Sequence, residues 1–186
     1  MNIEVREMKT EELMETVEIY LECARNDYLH KPSSYLANLD PRAEAEECEE
    51  WLYHRSPNNR IFVANMGSAM AGYIAAGPNI DEPFNYEGEV TGFFVRQNYR
   101  NLGIGLKLLQ ETCRYLRSCG YIRVVIYNAR PARSNGYYRM LGGQVVRQVM
   151  RRVDSLEILV DIFGWKITDL LEAVTLRLEK HGRLLA

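Results

Sequence analysis

The sequence predicts a mixed α/β fold of the α+β type, in which helices flank a mostly antiparallel central sheet. Residues 60–66 and 69–76 are rich in apolar side chains and meet at Gly67 and Ser68, which is typical of a β-hairpin. Other segments repeat apolar residues with the period of a helix. A strand, a glycine-rich loop, a helix and a second strand then follow between residues 89 and 127. Such a crossover places two parallel strands side by side.

The N-terminal elements are a strand and two helices. Residues 3–8 alternate apolar and charged side chains, as a half-buried strand does. Thr10 precedes two glutamates and predicts an N-cap. The helix that begins there ends before residue 26 and has one apolar face: Leu13, Val17, Tyr20, Leu21 and Ala24. Asp40 and Pro41 predict the start of a second helix, which runs to about residue 55.

The glutamates of this second helix allow two interpretations. They stand at positions 44, 46, 47, 49 and 50, and a run of acids is compatible with a cation-binding surface. The same run surrounds Ala45, Cys48 and Leu52, which is typical of a helix with one solvated face. We favour the solvated face.

The second half of the chain continues with alternating strands and helices. The predicted elements are a strand at 89–95, a helix at 104–118 that ends before Gly120, a strand at 124–127, a short helix at 134–141, strands at 144–151 and 156–161, and a last helix at 167–180. The last helix has apolar residues at one face, among them Leu170, Val174 and Leu178.

Length and charge limit the classes of function. The 186 residues fit one domain over residues 1–186. The net charge is -2, so no global positive field attracts a polyanion, and we do not expect a nucleic-acid partner. The sequence has neither an export leader nor about 18 consecutive apolar residues, which predicts a cytosolic protein without a membrane partner. The four cysteines lack metal-ligand spacing, so we expect buried thiols and no metal.

The segment 96–107 lies between a predicted strand and a predicted helix and has the features of an anion site. Gly103 and Gly105 let the backbone approach a ligand, and the first amides of the helix have no internal acceptor. Arg100 and Lys107 add positive charge. The segment lacks the ending of a Walker A loop and the third glycine of a dinucleotide-binding turn. A pyrophosphate fits the pattern, and so does a tight strand-to-helix turn without a ligand.

The pattern Arg100-x-x-Gly103-x-Gly105 closely resembles the R/Q-x-x-G-x-G/A motif of the GNAT superfamily of acetyl-coenzyme A dependent N-acetyltransferases. The run from Tyr137 to Gly143 resembles the family's Y-x-x-L-G-F signature. The resemblance is strong over residues 87–146, and the order of elements extends it across nearly the whole chain. It implies the GNAT fold, with the helix at about 165–182 as an addition.

Two positions depart from the family pattern. Many members have an Asn seven residues before the signature Tyr, where this chain has Pro131, and the nearest candidate is Asn128. With Pro131 in place of the Asn, the sequence does not identify the residue that contacts the pantetheine of the coenzyme. The usual Phe after the Leu-Gly pair is Gly143, which we expect to alter only the packing.

The resemblance implies that an acetyl group passes from acetyl-coenzyme A to a primary amine of a small molecule or peptide by direct attack, without a metal. Val95 is implied to support the thioester oxygen through its amide, and the loop amides are implied to hold the pyrophosphate. The implied coenzyme-binding residues are Phe94, Val95, Arg100, Asn101, Leu102, Gly103, Ile104, Gly105, Leu106, Lys107, Asn128 and Ser134.

The resemblance also implies an acid and a base. Tyr138 matches the family's general acid, and its alternative is a packed aromatic; Tyr137 is the next candidate. Glu89 stands eleven residues before Arg100, where some members place a catalytic glutamate, and its alternative is a solvent-facing strand residue. Three acids near it, Asp81, Glu82 and Glu87, are compatible with an acidic mouth that attracts a cation. The three histidines lie outside the motif, so we expect surface or packing roles for His30, His54 and His181.

Two classes of function stay open on the sequence alone. The first is an N-acetyltransferase, in which acetyl-coenzyme A and an amine acceptor are the partners and a homodimer is one allowed assembly. The second is a non-catalytic domain that binds acetyl-coenzyme A as a sensor or an interaction module. The motif glycines and Tyr138 favour the enzyme, because a binding module needs no positioned acid.

Overall fold

The computed structural model describes residues 2–27, 36–80, 85–153 and 156–184. The strands, in chain order, are β1 (Ile3–Glu7), β2 (Arg60–Met66), β3 (Ala69–Pro78), β4 (Gly88–Val95), β5 (Arg123–Ala129), β6 (Gln144–Val153) and β7 (Leu156–Lys166). The α-helices of these ranges are α1 (Leu13–Asp27), α2 (Pro41–Glu50), α3 (Ile104–Ser118), α4 (Asn135–Met140) and α5 (Ile167–Leu184).

The strands form one seven-stranded sheet in the order β1-β2-β3-β4-β5-β7-β6. Neighbouring strands are antiparallel except β4 and β5, which pair in parallel through the crossover helix α3. This arrangement confirms the predicted fold class, the hairpin and the parallel pair. The β7 strand extends to Lys166 rather than to Asp161, because the apolar residues in this extension pair with β5 in the core.

Helices cover both faces of the sheet. On one face, α3 and α5 bury apolar side chains such as Leu108, Leu109, Leu170 and Val174 against the strands. On the other face, α1 packs Ile19 and its neighbours on β2 and β3. The predicted solvated face of α2 is confirmed at Glu46, Glu47, Glu49 and Glu50, which are exposed.

The start of α1 differs from the prediction at Thr10. A 3-10 turn, Thr10–Glu12, precedes the helix, and Lys9 rather than Thr10 stands at its N-cap position. The carboxylate of Glu12 accepts the backbone N–H of Lys9 at 2.8 Å and is held by the Arg6 guanidinium. The carboxylate of Glu12, held by Arg6, therefore replaces the cap that the sequence pattern predicts at Thr10.

All four cysteines are free thiols. Cys23 and Cys113 are buried, as expected, whereas Cys48 and Cys119 are only half-buried. Burial raises the pKa of the Cys113 thiol to about 12, so this side chain stays protonated and unreactive.

Trp165 explains why a glycine stands at position 143. A Cβ at Gly143 would overlap the indole ring, with Cε2 of Trp165 only 2.7 Å away. The indole Nε1 donates a hydrogen bond to the carbonyl of Leu141 at 3.1 Å, which fixes the ring in this place. Gly143 was expected to alter the packing, and the side chain that packs against it is Trp165.

We expect Gly143→Ala to lower the free energy of unfolding by about 1–3 kcal/mol, because the added methyl displaces the Trp165 ring from a packed core. Urea unfolding measures the change. The matched control is Gly136→Ala in α4, where a Cβ has nothing within 4 Å and should not destabilise the protein. An equal free energy of unfolding for Gly143→Ala and the wild type would contradict the packing argument.

Candidate active site

The candidate site is a split in the centre of the sheet. The strands β4 and β5 pair only where Gly88 to Val90 face Val124 to Ile126, although both strands continue further. A bulge in β4 follows directly, since Ala76 pairs with Val90 and Ala75 with Gly92. The extra residue, Thr91, bends β4 away from β5. The strands therefore open into a cleft that leads from Val90 towards the start of α3.

Val95 presents its backbone to this cleft, whereas Phe94 does not. The N–H of Arg96 donates to the carbonyl of Ala71 on β3 at 2.9 Å. Backbone groups alternate between the two edges of a strand, so Phe94 pairs with β3 and Val95 faces the open edge. Of the two predicted backbone contacts, the geometry supports the one at Val95. The carbonyl of Val95 accepts the Arg100 Nε at 3.0 Å, and its amide lies at the cleft.

The glycine loop turns the chain from β4 into α3. Gly103 has a φ of +83° and stands at the N-cap position, and Asn101 is also left-handed with a φ of 63°. The first helical bond runs from Lys107 N–H to the Gly103 carbonyl at 3.0 Å. The amides ahead of it, at residues 104–106, have no intrahelical acceptor. Backbone N–H groups and the positive end of the helix dipole therefore meet at one point.

The two predicted cationic side chains make contacts elsewhere. The guanidinium of Arg100 forms an ion pair with Asp27 at the end of α1, with the shorter N–O distance 2.5 Å. The ammonium of Lys107 donates to the carbonyl of Ile3 on β1 at 3.1 Å. Arg100 therefore anchors the loop to α1 and to Val95. The anion-binding features of the loop come from its backbone.

The other wall of the cleft is the junction of β5 and α4. Asn128 donates from Nδ2 to the Ser134 hydroxyl at 2.9 Å and to the Asn135 side-chain oxygen at 2.6 Å. Asn135, which is 2% exposed, donates in turn to the carbonyls of Ala129 and Arg130. The structure thus brings together Asn128 and Ser134, two of the residues implied to bind the coenzyme. It adds Asn135, which no sequence pattern singled out.

The two tyrosines of the signature have different surroundings. The ring of Tyr138 is buried against Phe163 and Trp165. Its hydroxyl bonds to the Ser134 side chain, and burial raises the pKa of Tyr138 to about 12. The hydroxyl of Tyr137 is buried without a hydrogen-bond partner, and burial raises the pKa of this phenol as well. Both phenols are protonated at neutral pH.

Two glutamates near the split, Glu89 on β4 and Glu87 just before it, have different surroundings. Glu89 is half-buried on β4 and pairs with Val125, one residue before the strands part. Glu87 accepts the amides of Arg123 at 2.9 Å and Ile122 at 3.3 Å. Burial opposes ionisation of Glu87, but these backbone donors outweigh it and lower its pKa. Glu87 is therefore bound to the start of β5. The other acids of the expected acidic mouth, Asp81 and Glu82, lie outside the described residues.

The two motif glycines pack closely against side chains of neighbouring elements. A Cβ at Gly105 would lie 3.2 Å from Cζ of Phe93 and 3.3 Å from the Tyr137 hydroxyl. A Cβ at Gly103 would lie 3.0 Å from the ring of His181. Both glycines thus stand where a side chain would fill the space between α3 and its neighbours. Glycine at these two positions therefore permits close packing, and the groups that fit a pyrophosphate are the free amides at the first turn of α3.

The described helices include none with the length and hydropathy that crossing a membrane requires. Within the same residues, the His, Cys, Asp and Glu side chains form no group of three that could hold a metal ion.

The family model described as Acetyltransferase (GNAT) family matches residues 13–142. The chain is similar to the PaiA N-acetyltransferase of Thermoplasma acidophilum in complex with coenzyme A, with 18% identity, a TM-score of 0.66, and coverage of 89% of this chain and 99% of that one. It is also similar to YncA of Salmonella typhimurium, a putative acetyltransferase solved with acetyl-coenzyme A, with 19% identity, a TM-score of 0.64, and coverage of 89% and 94%. An N-acetyltransferase of Staphylococcus aureus Mu50 has 16% identity, a TM-score of 0.68, and coverage of 90% and 99%. No curated protein matches the chain significantly.

Proposed function

The chain belongs to the acetyltransferase (GNAT) family, and from this membership we propose that it transfers an acetyl group from acetyl-coenzyme A to a primary amine of a small molecule or a peptide. The observation that carries the proposal is the split between β4 and β5, which ends at the glycine loop of α3. A cytosolic location, expected from the sequence, is part of the proposal.

The cleft supplies donors for the coenzyme along its length. The first amides of α3, at residues 104–106, would hold the pyrophosphate. The amide of Val95 faces the open edge and would stabilise negative charge on a carbonyl oxygen. When bound, acetyl-coenzyme A supplies the acetyl group as a thioester.

We assign the acid role to Tyr138. Its hydroxyl bonds to Ser134, which also binds Asn128 on the cleft wall. Because burial raises the pKa of Tyr138 to about 12, this phenol is protonated at neutral pH and can donate a hydrogen bond or its proton to the departing sulfur. Tyr137, whose hydroxyl faces Gly105 instead, is the second candidate for this role.

We assign the base role to Glu89. It stands on β4 two residues before the bulged Thr91, and one residue before the last pair that joins β4 to β5. A primary amine with a pKa near 10.4 is mostly protonated at neutral pH, so it must lose a proton before it attacks. A carboxylate at the entrance of the split can accept that proton directly or through a water.

The proposed function is tested with the purified protein, acetyl-coenzyme A and a panel of primary amines, alcohols and thiols. Released coenzyme A is measured by chromatography, because a thiol reagent would also react with the thiol acceptors, and the acetylated product is measured by mass spectrometry. We expect thiol and N-acetylated amine in equal amounts. Acetylation confined to alcohols or thiols would contradict the amine assignment.

We expect Glu89→Gln to lower kcat/KM most at low pH, where free amine is scarce. The loss should become smaller as the pH approaches the pKa of the amine. The amide keeps the shape of Glu89 and removes the base. The pH profile of kcat/KM with a fixed amine measures the effect.

The matched control is Glu87→Gln, because it removes one charge two residues away without removing the proposed base. If both variants change KM alone and become less sensitive to salt, the glutamates attract the substrate and Glu89 is not the base. An unchanged pH profile in Glu89→Gln would also exclude Glu89 as the base.

A further inference from the structure

The C-terminal helix α5 lies along α3 and reaches the glycine loop. Its first residue, Ile167, donates its N–H to the carbonyl of Ile122, just beyond the end of α3. In the middle, Gln110 of α3 donates to the Thr175 hydroxyl of α5 at 3.3 Å. Near its other end, His181 touches Gly103 at the start of α3. The two helices are therefore antiparallel, and α5 delivers a side chain to the loop.

The position of α5 is well fixed by packing. Leu170 and Val174 are fully buried in the main core, and Leu178 packs against it. One turn before His181, Arg177 donates to the carbonyl of Met140 at the end of α4. The packing of α5 and the hydrogen bond of Arg177 therefore fix the position of His181.

The imidazole of His181 is unusual because its Nε2 is buried and has no hydrogen-bond partner. Among the described residues, only one other buried side-chain nitrogen or oxygen shares this property, the hydroxyl of Tyr137. The Nε2 atom lies 3.4 Å from the Cβ position of Gly103, and the Tyr137 hydroxyl lies 3.3 Å from that of Gly105. Both unpartnered groups thus adjoin the two motif glycines.

A buried polar atom without a partner costs free energy, and a ligand that supplies the missing hydrogen bond is one explanation for such an atom. An imidazole nitrogen donates a hydrogen bond in the Nε2–H tautomer and in the protonated ring. The nearest predicted ligand group is the pyrophosphate at the first amides of α3, and its oxygens accept such bonds.

We propose that His181 is a coenzyme-binding residue, which α5 brings to the glycine loop so that its Nε2 donates a hydrogen bond to a pyrophosphate oxygen. This inference rests on the proposed function, because it takes acetyl-coenzyme A as the ligand of the loop. It assigns to α5 a part in coenzyme affinity besides its part in the core.

The test compares variants that keep or remove the donor. Calorimetric titration with coenzyme A is carried out on the wild type, His181→Gln, His181→Met and His181→Phe. A hydrogen bond to a charged group contributes enough that the two donor-free variants should bind coenzyme A about tenfold more weakly. His181→Gln offers an amide nitrogen and should stay within about threefold of the wild type. Pantetheine, which has no phosphate, should bind all four proteins equally.

The matched control is Thr175→Val, which removes a polar contact of the same α3–α5 interface without touching the loop. It should bind coenzyme A like the wild type. Equal affinity of wild type and both donor-free variants for coenzyme A overturns the proposal. So does a loss shared by Thr175→Val or by pantetheine, because either would mean that α5 acts through packing. A wild type that fails to bind coenzyme A contradicts the proposed function itself.

Discussion

Tyr138→Phe is expected to lower kcat about 100-fold or more while the affinity for coenzyme A stays unchanged. The substitution removes only the hydroxyl, and the ring keeps its contacts with Phe163 and Trp165. Ser134 loses one partner but keeps Asn128, so the junction of β5 and α4 should hold. Steady-state kinetics measures kcat, and calorimetry measures the affinity.

The pH dependence sharpens this prediction. Burial raises the pKa of Tyr138 to about 12, so the phenol carries its proton at every pH below that value. A phenol with a raised pKa loses its proton only at strongly alkaline pH, and the wild type should therefore show no loss of acid catalysis at mildly alkaline pH. A wild-type rate that falls between pH 8 and 10 for lack of an acid would contradict the assignment.

Tyr137→Phe is the matched control. Its hydroxyl has no protein partner, so its removal should cost no stability. We expect kcat to stay within a few-fold of the wild type. If kcat falls about 100-fold in Tyr137→Phe and not in Tyr138→Phe, Tyr137 is the acid. Its hydroxyl, which faces Gly105, would then donate the proton to the sulfur.

Local patterns predicted those parts of the molecule that depend on neighbours in the sequence. Residues 89–127 form the predicted parallel crossover. The helix α3 returns the chain so that β5 lies beside β4 and runs in the same direction. Gly103 adopts a left-handed φ at the turn into α3, where a glycine was expected. Asn128 and Ser134, each implied to bind the coenzyme, lie at one junction because they are close in the chain, although their hydrogen bond was not predicted.

The rest of the site depends on contacts between distant residues. Arg100 pairs with Asp27, 73 positions earlier, so a motif cation anchors the loop instead of adding free charge. The bulge at Thr91 has no sequence signal of its own, yet it opens the cleft and decides which backbone groups face it. His181 lay outside every motif, and only the antiparallel packing of α5 on α3 brings it to Gly103.

Gly105→Val is expected to weaken acetyl-coenzyme A binding on the order of 100-fold. The reason is the loss of two or more hydrogen bonds from backbone amides to a charged phosphate. The α3 backbone can accept a valine at this position. Its side chain, however, would press against Phe93 and the Tyr137 hydroxyl at the first turn of the helix. Because these neighbours are packed there, the branched side chain would displace the first turn of α3 and the amides that it carries. Calorimetric titration measures the affinity, and circular dichroism confirms that the variant is folded.

Gly136→Val is the control for a valine in a helix, because a Cβ at Gly136 meets nothing within 4 Å. It should bind acetyl-coenzyme A like the wild type. Gly105→Ala should fall between the two, because one methyl carbon displaces Phe93 and Tyr137 less than a branched side chain does. A graded loss across alanine and valine at position 105 places the coenzyme against this turn. Unchanged affinity in a folded Gly105→Val protein would move the pyrophosphate away from the start of α3.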